Sequence, residues 1–204
     1  MIVRGLIVAA LVVVGIAGCS PDKEKVISMR AVRTAAADAS PSSCPIQLDV
    51  PAALSAAKVG GEARFDSART QVSASETPAE DPVAAQRSGQ RPVDAAAGAS
   101  IECEYRLGQH PLRVQVIATH AGRSVNLLAA RVSREAHLTR DELDRFLSAP
   151  PGAGEVEVVG GAVAVGGLAI DYGDATILVS SEAPEVREAT LEQVTRALID
   201  QVKF

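Results

Sequence analysis

Between Ile101 and Ala118 the chain alternates with a period of two. Ile101, Cys103, Tyr105 and Leu107 are separated by Glu102, Glu104 and Arg106. After Gly108-Gln109-His110-Pro111, the residues Leu112, Val114, Val116 and Ala118 are separated by Arg113, Gln115 and Ile117. Successive side chains of a strand point to opposite faces, so this spacing predicts two half-buried strands joined by a turn. A helix would scatter the same apolar residues around its circumference. The core behind such a sheet has to be aliphatic, because aromatic residues make up 2% of the chain and Trp is absent.

The other elements follow from periodicity and capping. Asp49-Val50-Pro51 opens a helix at a capping residue and an early Pro, and Gly60-Gly61 closes it. Residues 62–72 hold a short strand. Val125, Leu128, Ala129, Val132 and Ala136 have helical spacing, and Thr139-Arg140-Asp141-Glu142 is a capping box for a second helix with Leu143, Phe146 and Leu147 inward. Three Val/Ala/Ile-rich runs follow, at 155–159, 162–171 and 175–180, separated by Gly160-Gly161 and Tyr172-Gly173-Asp174. A helix over 184–202 carries Leu191, Val194, Leu198 and Val202 as its buried stripe. These elements predict an α+β domain: an antiparallel sheet of about five strands with helices packed on one face. Residues 73–100 combine Pro, Gly, Ala and charges without an apolar period, which predicts a disordered insert.

The chain begins with one charge, Arg4, and an apolar run over 5–17, ending at Ile16-Ala17-Gly18-Cys19. The run is too short for a membrane span, which needs about twenty residues, and it fits a secretory h-region. An aliphatic residue, a small residue, Gly and then Cys resemble the lipobox of bacterial lipoproteins. That resemblance implies removal of the signal peptide 1–18 and lipid attachment at Cys19, with the protein held on the extracytoplasmic face of the cell membrane. Two or more acyl chains make such attachment stable. The rest of the mature chain then reads as a disordered tether, 19–43, and a single domain, 44–204. With Cys19 taken by lipid, Cys44 and Cys103 are an even pair in an oxidising compartment, and a disulfide between them is expected. Arg-rich, Ala-rich composition and the Cys103-Glu104-Tyr105 motif further resemble small lipoproteins of high-GC Gram-positive bacteria, in which an early Cys pairs with a later Cys-x-aromatic.

Site chemistry is sparse. A formal net charge of −5, or −6 once Arg4 is removed, disfavours nucleic acid, and scarce aromatics disfavour base or sugar stacking. Gly160-Gly161-Ala162-Val163-Ala164-Val165-Gly166-Gly167 lacks the Lys-Ser/Thr of a phosphate loop, so it reads as turns and a bulge. His110, His120 and His137 are ten and seventeen positions apart, without ligand spacing, and read as surface residues. Asp141, Glu142 and Asp144 crowd a helix start, and Asp171 and Asp174 bracket a turn. No nucleophile motif and no metal or cofactor signature appears. The expectation is a non-catalytic binding or accessory module for an envelope protein, a lipid or a small ligand. The alternative is an envelope hydrolase whose site is scattered beyond motif reading.

Overall fold

The computed structural model describes residues 26–40, 42–120 and 122–204. The expected signal peptide and Cys19 lie outside the described residues. Six strands form one antiparallel sheet: β1 Ala63–Ala74, β2 Gly98–Leu107, β3 His110–Thr119, β4 Val156–Val159, β5 Val163–Leu168 and β6 Asp174–Ser181. Their spatial order is β1-β2-β3-β6-β5-β4. The helices are α1 Met29–Ala37, α2 Val50–Ala56, α3 Pro82–Arg87, α4 Pro92–Ala95, α5 Ser124–Glu135, α6 Arg140–Ser148 and α7 Glu188–Ile199.

The architecture is α+β with an antiparallel sheet, as the periodicity predicts, but with six strands instead of about five. Helices also cover both faces rather than one. The inner face carries Ile101, Cys103, Val114, Val116, Ile177 and Val179, packed under α1, α2 and α7. The outer face carries Ile117, Leu178, Val163 and Val165 under Val125, Leu128 and Val132 of α5 and Phe146 of α6. The reason for two layers is legible in β5 and β6. Both are apolar at consecutive positions, so a single helical layer would leave one of their faces wet.

The tether expectation requires correction over its second half. Ile27 pairs with Ile170 as an isolated parallel bridge, and α1 buries Met29, Val32 and Ala36 in the inner core. Those three recur at helical spacing, so α1 hides a stripe that offsets its ordering entropy. The expected insert is corrected at both ends. Ser73 and Ala74 belong to β1, residues 98–100 belong to β2, and α4 buries Val93 and Ala95. Between them, α3 buries nothing.

The disulfide is present: Cys44 and Cys103 are bonded, with Cα atoms 5.7 Å apart. It ties the segment before α2 to the inner face of β2. Capping goes as the sequence predicts at Asp49, whose carboxylate accepts from the Ala52 N–H at 2.9 Å, and at Thr139 with Glu142. Gly160 takes φ +59° in the β4–β5 turn, where a Cβ would collide with the Ala136 carbonyl. Gly166 and Gly167 lie inside β5, not at a bulge. Ile199 of α7 closes on the first and the Gly152-Ala153 backbone on the second, which explains both glycines by close approach.

Candidate functional site

The outer face of the sheet is divided. An apolar patch of Ile117, Leu178, Val163, Val165 and Val159 lies under α5 and α6. Beside it the face is polar, because the register aligns Asp66 of β1, Glu104 of β2, Arg113 of β3 and Ser180 of β6 as one cross-strand row. Glu102, Gln115 and Leu178 form the next outward row. The alternation that buries Cys103 and Val114 necessarily turns Glu104 and Arg113 outward, onto this polar part of the face.

These polar residues form an ion network along the edge of α5. Arg131 of α5 reaches Glu102 at 2.6 Å and its own-helix neighbour Glu135 at 2.9 Å. Its Nη1 also donates to Gln115 Oε1 at 2.7 Å, and Gln115 in turn donates to Ser100. Arg113 donates from Nε to Glu104 at 2.8 Å and from Nη1 to Glu182 at 3.2 Å. The Glu104 side chain is only 4% exposed, and Arg106 adds a second positive charge at 3.5 Å. Burial acts to lower the Arg113 pKa; Glu104, with Glu182 behind it, outweighs that and raises it above the ordinary guanidinium value.

Two adjoining concavities flank this network. One, of about 550 Å³, runs from Gln71 and Glu102 to Arg131. The other, of about 430 Å³, is bounded by the C-terminal end of α5, the Gly160 turn and the start of the segment into α7. Arg113, Arg134, Glu135 and Glu182 line both. Ser180, 5% exposed, lines the second, and its hydroxyl has no hydrogen-bond partner in the protein. Glu135 Oε2 is likewise buried and unpartnered. An orphan buried polar group costs roughly 1–3 kcal/mol. Native proteins keep few of them, so two on one cavity wall call for a cause. Arg187, half-buried on the same wall, makes no ion pair among the described residues.

Another concavity, of about 790 Å³, lies elsewhere, against α1, and is lined by Arg30, Arg33, Thr34, His120 and Tyr172 among others. Part of its polar lining is committed to holding α1. Arg33 donates to the Ala97 carbonyl at 2.6 Å, and Asp171 accepts the Met29 N–H at 2.9 Å. That hydrogen bond, with further ones from Ser28 and the local backbone, holds the Asp171 carboxyl below its usual range.

The residues singled out from the sequence are scattered. His110 opens β3, and His120 follows β3 with its ring 5.0 Å from Tyr172. His137 sits past α5 with φ +54° and lines the cavity with Ser180, without a hydrogen bond between the two. Asp141 and Glu142 lie in the first turn of α6, and Asp144 pairs with Arg140 at 3.7 Å on the surface. Asp171 and Asp174 are long-range caps beyond their turn: Asp174 accepts from the Ser124 N–H at 2.6 Å and from its hydroxyl at 2.7 Å. Sequence reasoning missed Ser180, Glu135, Arg113 and Arg187. For Ser180 and Arg113 the local signal was a polar residue on a largely buried strand; Glu135 and Arg187, at helix ends, gave none. Among the described residues, no three His, Cys, Asp or Glu gather as a metal-binding group. No helix there is long and apolar enough to cross a membrane. No family model, curated protein or solved structure matches the chain.

Proposed function

We propose that this protein is an extracytoplasmic module, held at a membrane by lipid on Cys19, that acts by binding a small ligand between α5 and the sheet. The observation that carries the binding reading is the pair of buried, unpartnered polar groups, Ser180 Oγ and Glu135 Oε2, on cavities lined by arginines. A cavity of this size falls within the range usual for small-molecule sites, roughly 300–1,000 Å³. The Cys44–Cys103 bond supports an oxidising compartment. Ile27 is stapled to the domain, and the eight positions from Cys19 to Ile27 span at most roughly 30 Å. A lipid on Cys19 would therefore hold the domain close to the bilayer surface.

One observation favours a second reading, an envelope hydrolase: Ser180 and His137 line the same cavity, as a nucleophile and its base would. Native mass spectrometry of the full chain, extracted from its own membranes in mild detergent, separates the two. Binding predicts a retained small molecule, kept in His137→Ala and lost in Arg187→Ala. A protein that retains nothing, and hydrolyses an ester in a His137-dependent way, would establish the hydrolase instead.

A further inference from the structure

The chemistry of the cavity narrows its ligand. We infer that it takes a small zwitterion carrying a free carboxylate and a free ammonium, of the class of an α-amino acid or short peptide. This deepens the binding reading and rests on it.

The lining offers unmet valences of both signs. On the acidic side, Glu135 Oε1 is engaged by Arg131 at 2.9 Å, with Arg134 at 3.8 Å, while Oε2 is buried and accepts no hydrogen bond. A buried carboxylate oxygen calls for a donor, and an ammonium supplies three. Glu182 lies on the same wall, with Arg113 at 3.2 Å holding one oxygen. On the basic side, Arg187 makes no ion pair among the described residues, and Arg113 commits only Nε and Nη1. Arg187 is also the N-cap residue of the twelve-residue α7, so a carboxylate there meets the positive end of a helix dipole. The Ser180 hydroxyl can donate or accept, and it stands beside Arg113 in the β3–β6 register.

Ligands of one sign fit worse. A simple anion would face the charges of Glu135 and Glu182 and could supply no donor to the buried Glu135 Oε2. A simple cation would face Arg113, Arg134 and Arg187. A ligand whose two charges are separated by a few bonds satisfies both walls, and charge-assisted hydrogen bonds are the stronger kind. Discrimination of this sort comes from the penalty of leaving buried polar groups unpaired.

Isothermal titration calorimetry of the full chain in mild detergent tests this with L-alanyl-L-alanine and two capped forms. N-acetyl-L-alanyl-L-alanine keeps only the carboxylate, and L-alanyl-L-alanine amide keeps only the ammonium. The expected result is saturable one-to-one binding of the free dipeptide, with each capped form at least about tenfold weaker, or 1.4 kcal/mol. Arg187→Ala should abolish the preference for the free carboxylate, and Glu135→Gln the preference for the free amine. Glu182→Gln, at an exposed position, serves as the second acidic variant should Glu135→Gln unfold. Equal binding of the acetylated form would make this an anion site and overturn the zwitterion while leaving the binding reading intact. No saturable heat from any of the three up to about 10 mM would also overturn it, since even a millimolar site registers there. The retained-ligand experiment would then decide the broader reading separately.

Discussion

At the scale of single residues, Glu104 and Ser180 pose opposite problems on one cross-strand row. Glu104 is a buried charge whose Oε2 is held by Arg113 at 2.8 Å, while its Oε1, 3.5 Å from Arg106, accepts no hydrogen bond; Ser180 is a buried hydroxyl with no partner in the protein at all. Removing one partner of a buried pair strands the other, so Arg113→Ala should destabilise by about 3 kcal/mol. Ser180→Ala removes an orphan and should leave stability within roughly 1 kcal/mol of the parent, on the stabilising side. Urea denaturation of the two variants checks the contrast; equal losses would mean that Ser180 is satisfied after all. Tyr105 supplies a pH dependence. It packs against Phe65 with ring centroids 5.6 Å apart, and burial pushes its phenol from 10 up to about 12. The folded state therefore keeps a proton that the unfolded chain releases above pH 10. Stability should be fully present below that pH and fall by up to roughly 2 kcal/mol as the pH rises toward 12. Tyr105→Phe should flatten that alkaline slope in denaturation curves taken at several pH values.

At the scale of elements, two helices take their first hydrogen bonds from one distant turn. Asp171 caps α1 on the inner side of the sheet, and Asp174 caps α5 on the outer side. Helix N-termini leave N–H groups unsatisfied, and neither Ser28 nor Arg123 caps its own helix through its side chain. Asp171→Ala should therefore loosen α1 without unfolding the sheet. Hydrogen exchange should show faster exchange across Met29–Ala37, with β2 and β3 unchanged. Because the Asp171 pKa is lowered when folded, the same loosening should appear as the pH falls below its ordinary value of 3.8. Uniformly faster exchange over the whole domain would show that α1 and the sheet unfold together.

At the scale of the whole molecule, the Cys44–Cys103 bond joins positions 59 apart and anchors the segment before α2 to the central hairpin. Closing a loop of that length stabilises by about 4 kcal/mol in the chain-entropy model. Paired replacement, Cys44→Ala with Cys103→Ala, should lower the denaturation midpoint accordingly while retaining cooperative unfolding. Cys19→Ala bears on localisation: it should move the protein from the membrane to the soluble fraction or leave it unprocessed. Intact-mass data on membrane-extracted protein with an unmodified Cys19 would remove the lipid from the proposal.

What the sequence determined by itself is what repeats locally. The two-residue period of 101–118, the capping box at Thr139 and the Leu191-Val194-Leu198 stripe each fold as read, because their cause lies within a few residues of their effect. The cysteine pair was reachable by counting. The rest depended on partners far along the chain. α1 looked like a tether because its stripe is short, and what stabilises it lies far along the chain: the inner core, the Ala97 carbonyl that Arg33 reaches, and Asp171, 142 positions from Met29. The strands of 155–180 showed apolar runs but not the second helical layer that those runs require. The candidate site was the least legible part. Ser180, Arg113, Glu135 and Arg187 come from two strands and the ends of two helices, and polar residues at those positions look locally like ordinary surface. Only the sheet register and the placement of α5 bring them around one cavity, because unmet hydrogen bonds are a property of packed surroundings rather than of residue order.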